Sequence, residues 1–225
     1  MTSLTGIKAC AFDAYGTLFD VHAPTARVAD ELGGNAQAIS DLWRAKQLQY
    51  TWLRSLMRAH ADFWQVTGDA LDYALSAHGI DNPALRRRLM ELYLVLDAYG
   101  EVADTLARLK EAGMTTALLS NGSPAMLDAA ASHAGLTELL DHVISVEAVG
   151  IYKPDAAVYR LAPERLGLEA DRICFVSANA WDVCGAAHFG LQVVHVNRFA
   201  QPAERLPGAP KAVIASLEGL ADLVA

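Results

Sequence analysis

The sequence predicts an α/β protein: a Rossmann-like parallel sheet core with helices on both faces and a helical cap subdomain inserted after the first strand. Three observations carry that expectation. Short apolar runs of strand length recur, each ending in a polar residue. Helical patterns separate the later runs. The stretch from Asp20 to about Tyr99 breaks the alternation with helical spacing throughout. Strands alternating with helices require crossover connections, which make neighbouring strands parallel.

Taken in order, residues 7–12 form an apolar run that delivers Asp13 at its end, followed by a loop containing Gly16. In the inserted region Ile39, Leu42, Trp43, Lys46, Tyr50, Leu53 and Met57 follow 3–4 spacing, as do Leu85, Leu89, Leu92 and Leu96. Residues 115–119 end at Ser120-Asn121-Gly122, and a helix over 123–134 starts with Ser123 as cap and Pro124 in the first turn. Residues 143–146 lead into Glu147, and a helix over 155–166 follows Lys153-Pro154. Residues 173–176 end at Ser177 and residues 191–196 at Asn197. The boundaries are therefore 1–19 and 100–225 for the core and 20–99 for the cap. Ligands of open parallel sheets bind beyond the carboxyl ends of the strands. Asp13, Ser120 and Ser177 should converge there.

Composition limits the partners. Of 225 residues, 53% are apolar and 20% charged, the balance of a globular protein. The net charge of −8 is spread along the chain, which argues against nucleic-acid binding and obliges a site for an anion to supply its own cations. No apolar run is long enough for a membrane span, and the first residues lack the features of a signal peptide. Cys10, Cys174 and Cys184 form no metal or disulfide spacing, and none of the seven histidines falls in a motif. The expectation is a cytoplasmic protein with neither metal nor organic cofactor.

A carboxylate at a strand end, followed by a glycine loop whose N–H groups can line a small cavity, suits covalent catalysis by an aspartate. It also suits an aspartate that caps a turn. The segment Phe12-Asp13-Ala14-Tyr15-Gly16-Thr17-Leu18-Phe19-Asp20 resembles the first signature of the haloacid dehalogenase superfamily, whose members use the first aspartate as nucleophile. The second signature is matched by Ser120, the third by Lys153, and the fourth by Ser177-Ala178-Asn179-Ala180-Trp181-Asp182. Each has an ordinary reading alone: a helix cap, a surface lysine, an acid in a first helical turn. Together, in order, they identify the chain as similar to that superfamily over nearly its whole length.

Two departures select a branch. Magnesium-dependent phosphatases of the superfamily carry a second Asp two residues after the nucleophile, where this chain has Tyr15, and another in the fourth motif, where it has Ala178. A phenol is a poor acid and base near neutral pH, and Asp13 with Asp182 alone makes a weak seat for a hard cation. The closer resemblance is to the L-2-haloacid dehalogenases, carried also by Leu42-Trp43-Arg44-Ala45-Lys46-Gln47-Leu48, by Ala61-Asp62-Phe63-Trp64, and by Lys153-Pro154 with Tyr159.

That resemblance implies an enzyme in which Asp13 attacks C2 of a 2-haloalkanoic acid, expels halide with inversion and is left as an ester. Water then attacks the Asp13 carbonyl carbon and releases a D-2-hydroxy acid. It implies Lys153 as the counter-charge of Asp13, Thr17 as a brace for the loop, and Arg44 with Asn121 and Trp181 as a halide cradle. It assigns the substrate carboxylate to Ser120 and loop amides near Tyr15, the hydrolytic water or oxyanion to Ser177 and Asn179, and the base to Asp182, acting through Lys153. Tyr159 would hydrogen-bond Asp182 or Lys153, and Tyr15, Leu48, Phe63 and Trp64 would line the alkyl pocket. Periodicity alone reads Arg44 as an exposed helix residue, Tyr159 as a structural tyrosine and the aromatics as core. A homodimer is implied by resemblance only. The rivals are a metal-dependent phosphatase of the same superfamily and a catalytically silent protein that binds small carboxylates.

Overall fold

A computed structural model describes residues 4–224. Strand β1 (Ala9–Phe12) is buried along its whole length, as its small and apolar side chains require of a strand covered on both faces. The chain then enters five helices, α1 (Ala23–Arg27), α2 (Ala29–Leu32), α3 (Ala36–Met57), α4 (Phe63–Ala77) and α5 (Pro83–Leu94). It returns through α6 (Val102–Glu111), β2 (Thr115–Ser120), α7 (Pro124–His133), β3 (His142–Ser145) and α8 (Ala156–Leu166). Then come β4 (Ile173–Ser177), α9 (Ala180–Phe189), β5 (Gln192–Val196), β6 (Ala212–Ile214) and α10 (Leu220–Val224).

Local chemistry starts and stops these helices, and α7 and α8 fall within a residue of the stretches that the sequence predicts. The Asp62 carboxylate accepts from Gln65 N at 2.8 Å to start α4, and Asp155 accepts from Ala157 N at 2.8 Å to start α8. Asn82 caps α5 ahead of Pro83, and α8 stops at Gly167 with φ +65°. Ser123 stands at the N-cap of α7 in extended conformation, but its hydroxyl makes no capping hydrogen bond there. Pro124, lacking an N–H, carries that start.

The strands form one parallel sheet in the order β3-β2-β1-β4-β5-β6. The order reverses between β1 and β4, so a crevice opens at their carboxyl ends. Phe12 pairs with Val176, so Asp13, one residue on, stands opposite Ser177 across that crevice. Right-handed crossovers place α6 and α7 on one face and α8 and α9 on the other. The sixth strand was not anticipated: β6 is a three-residue edge strand without a buried side chain, too short to show alternation.

The segments that lead into and out of the five-helix insert pair with each other. Asp20 N donates to Asp97 O at 2.9 Å and Tyr99 N to Leu18 O at 3.0 Å. The expected apolar stripe on α3 divides in two. Ile39 and Trp43 are buried with Ser40, Gln47 and Thr51, whereas Leu53 and Met57 are 44% and 72% exposed. The buried positions 39, 43, 47 and 51 advance by four and so rotate about 40° per step away from the 3–4 stripe, which leaves Leu53 and Met57 outside.

Candidate active site

The loop after β1 is held so that it presents one carboxylate. Asp13 N donates to Val176 O at 2.9 Å, which extends the β1–β4 ladder by one residue, and Gly16 turns the loop at φ +87°. Thr17 Oγ1 accepts from Ala178 N at 2.9 Å and donates to Asp13 Oδ2 at 3.0 Å, so one hydroxyl ties both strand ends to the carboxylate. The Asn179 side-chain amide donates to the same oxygen at 2.7 Å and to Tyr15 O at 3.0 Å.

Lys153 fills the other side. Its Nζ donates to Asp13 Oδ1 at 3.0 Å and to Asp182 Oδ2 at 2.8 Å. Side-chain exposure is 0% for Lys153 and Asp182 and 9% for Asp13, so only Asp13 faces anything beyond the triad. Burial alone would push the lysine down, but Asp13 and Asp182 more than offset it and hold the ammonium protonated. Burial lifts the Asp182 carboxyl to about 6, against the pull of Lys153. Tyr159 OH donates to Asp182 Oδ1 at 2.7 Å and Ser177 Oγ donates to Oδ2 at 3.2 Å. Burial and the Asp182 charge push the Tyr159 phenol far above its ordinary value, so it remains a donor at every working pH. Every polar atom of this cluster has a partner, the condition for keeping charges in a dry interior.

The insert adds a second cation. Arg44, on α3, donates through Nη2 to Tyr15 O and to Asn179 Oδ1, both at 3.2 Å, and through Nη1 to Gln47 Oε1 at 2.8 Å. Asn179 thereby links the guanidinium to Asp13 through its two amide ends. Gln47, 1% exposed, donates to Thr67 Oγ1 at 2.7 Å and Tyr93 OH at 3.1 Å, which fixes the arginine from behind. Sequence reasoning missed Gln47 and Tyr93. The only signal was a glutamine one turn beyond Arg44 on one helix face.

A cavity of about 500 Å³ opens here, with Gly16, Arg44, Leu48, Asn179 and Trp181 in its wall and Tyr99 and Arg198 on its outer side. Arg198 was also missed: it pairs with Glu101, donates to Thr17 O at 2.9 Å and lies over the Tyr99 ring at 4.0 Å. It clips the return of the insert to the loop after β1.

The remaining predicted residues divide. Ser120 is fully buried at the end of β2, where its hydroxyl accepts from Gly122 N at 3.1 Å. Asn121 turns its amide oxygen to Lys153 N at 3.1 Å and so orients the lysine backbone. Tyr15 packs against Phe63 and Tyr93 at centroid distances of 5.4 and 5.5 Å. Its hydroxyl is buried without a partner, and burial pushes its pKa well up, so no acid or base takes the place of the missing carboxylate. Trp64 is a correction. It lines a separate groove with Gly68, Pro83, Arg86 and Met90 between α4 and α5, since adjacent residues of a helix point about 100° apart and Phe63 takes the inward direction.

The sheet thus presents a lysine-paired aspartate at the point where its strand order reverses, a place where open α/β sheets bind their ligands. The profile of haloacid dehalogenase-like hydrolases matches residues 7–190. A relative named (S)-2-haloacid dehalogenase 4A, from Burkholderia cepacia, is 48% identical over 88% of this chain and 86% of its own length. A solved dehalogenase superposes with a TM-score of 0.96 at 45% identity, covering 98% of each chain. The L-2-haloacid dehalogenase from Xanthobacter autotrophicus, solved with chloropropionic acid covalently bound, superposes at 0.91 with 38% identity over 96% of this chain and 98% of that one. The chain belongs to the haloacid dehalogenase-like hydrolases and, within them, to the (S)-2-haloacid dehalogenases.

Proposed function

We propose that the protein hydrolyses L-2-haloalkanoic acids to D-2-hydroxy acids through an ester on Asp13. The observation that carries this reading is the ring of donors around one carboxylate. Lys153 faces Oδ1 while Thr17 and the Asn179 amide face Oδ2, and the residue two places on is an aromatic. Such a carboxylate is held in place by its donors. The N–H groups on it would repel a metal ion, and its shared counter-charge is the ammonium. Displacement at carbon needs no proton for the departing halide. Phosphoryl transfer to an alcohol or from an ester does need one.

In this reading the Asp13 carboxylate forms a bond to C2 from behind as the carbon–halogen bond breaks, and the halide leaves toward Arg44, Asn121 and the Trp181 edge. Ser120 and the amides around Tyr15 hold the substrate carboxylate, and Tyr15, Leu48 and Phe63 enclose the alkyl group. Water placed by Ser177 and Asn179 then attacks the Asp13 carbonyl carbon, so the inverted centre is untouched. Its proton passes to Asp182 by way of Lys153, and a carboxyl near pKa 6 is a competent base at neutral pH. Tyr159 holds Asp182 for that step. The five-helix insert, residues 20–99, acts as the cap that brings Arg44 to the core, residues 1–19 and 100–225. Exposed Leu53, Leu56 and Met57 at the end of α3 provide the face of a homodimer, which sedimentation at micromolar concentration tests. Three free cysteines, two of them paired neighbours on β1 and β4, suit the reducing cytoplasm.

Chloride release from L-2-chloropropionate, unchanged by EDTA, is the expected result. A single turnover in ¹⁸O water should label Asp13 and leave the first lactate unlabelled. Label in that first lactate, or turnover of a phosphate ester that EDTA abolishes, overturns the reading.

A further inference from the structure

Behind Trp181 lies a second cavity of about 500 Å³, lined by Trp52, Leu56, Ile151, Pro154, Leu206 and Trp181 itself. Trp181 also lines the Arg44 cavity, so a single indole stands in the walls of both. The two spaces follow one face of α3. Arg44 and Leu48 border the first and Trp52 and Leu56 the second, at successive four-residue steps. Trp52 meets Trp181 edge-on at 5.4 Å and an interplanar angle of 80°. Neither indole N–H has an oxygen or nitrogen acceptor, so no conventional hydrogen bond pins either ring. The contact is one of aromatic packing, and moving Trp181 aside forfeits no hydrogen bond.

We propose that Trp181, braced by Trp52, is a movable partition that sets the side-chain length of the 2-haloacid, and that the cavity behind it receives the tail of longer substrates. The inference rests on the dehalogenase reading above. The chemistry of the wall selects the occupant. Apart from Lys153, Asp155, Ser55 and Tyr152, whose hydroxyl is engaged with Ala61 O, its side chains are apolar, so an alkyl or aryl tail is favoured over a polar one. Lys153 also borders this space, and its Nζ holds Oδ1 of Asp13. In the resting arrangement the partition is closed, and each methylene beyond the short side chains must displace it.

The test is a chain-length series of L-2-bromo acids, from bromopropionate to bromooctanoate, with kcat/KM measured by bromide release. Trp52→Ala removes the brace and leaves Asp13, Lys153 and Arg44 in place, and any effect on the halide through the Trp181 edge falls on every chain length alike and cancels in the ratio. The ratio of bromohexanoate to bromopropionate should rise about tenfold or more, the scale of one or two methylenes in an apolar pocket. Leu206→Trp fills the second cavity from the exposed loop, and in the double variant it should cancel that gain while bromopropionate turnover persists. A chain-length ratio that neither variant moves, with bromopropionate still hydrolysed, overturns the partition alone. Failure of the parent enzyme on bromopropionate overturns the dehalogenase reading instead.

Discussion

At the sheet edge, Lys153 and Asp182 are sealed from solvent and every polar atom around them is matched, whereas in the helical insert Arg44 is only partly buried and reaches across to the core through two hydrogen bonds, with a third to Gln47 on its own helix. Strand register fixes the first set. Asp13 and Ser177 are placed by backbone ladders within β1 and β4, so their separation cannot change without breaking the sheet. Packing places the second set. Tyr15 stacks between Phe63 and Tyr93, and Trp43 hydrogen-bonds Thr67 O at 2.9 Å. The core is suited to holding charge, and the insert to shaping the space in which the charge acts. The difference predicts that changes at the sheet edge remove chemistry, while changes in the insert alter fit.

The largest effect should come from Asp13→Asn, which retains shape and loses the nucleophile. Halide release should fall by at least about 10⁴-fold, with the circular dichroism spectrum unchanged. Lys153→Ala comes next and differs in kind. It leaves Asp13 and Asp182 as neighbouring carboxylates without their shared cation, so both activity and stability should drop. The stability loss should be about 3–5 kcal/mol by denaturant unfolding at neutral pH, as for breaking any buried pair. A Lys153→Ala protein as stable as the parent would show that the triad is not what holds the charge.

The pH dependence probes the same triad. Asp182 must be ionised to take a proton, and its pKa is lifted to about 6, so kcat should decline as pH falls through about 6 and be level above it. The apparent value belongs to the coupled Asp13–Lys153–Asp182 group. Tyr159→Phe removes one donor from the Asp182 carboxylate, favours its protonated form and should move that limb upward. In the insert, Arg44→Lys keeps the charge but cannot span Tyr15 O, Asn179 and Gln47. A loss of about 10² in kcat/KM, without a stability change, is the expected signature of misplacement.

Much of the sheet-edge site was legible because each residue ends a strand, and strand ends are readable as apolar runs that stop at a polar residue. Asp13, Ser120 and Ser177 lie where that rule puts them. The insert was less legible. Periodicity shows that a helix exists and not which side faces the core, and so Trp64 was placed in the pocket beside Phe63 while it lines another groove. Arg198 lay beyond reach for a different reason. Its partners, Thr17, Tyr99 and Glu101, are 181, 99 and 97 positions away in the chain, and no local pattern marks it. The β6 strand escaped because three half-exposed residues carry no period.

The smallest predicted effect tests whether the insert acts through fit. Gln47 touches neither Asp13 nor Lys153. It accepts from Arg44 and donates to Thr67 and Tyr93 while buried inside the insert. Gln47→Leu removes the acceptor behind Arg44 and leaves one guanidinium N–H and the Tyr93 hydroxyl short of a partner, at about 1–3 kcal/mol. Gln47→Glu keeps the acceptor and adds a charge that Arg44 can meet. If positioning is the role, the leucine variant raises KM for the haloacid more than it lowers kcat, and the glutamate variant restores most of it. Equal losses in both variants would reduce Gln47 to a packing residue and place the grip on Arg44 in Tyr15 O and Asn179 alone.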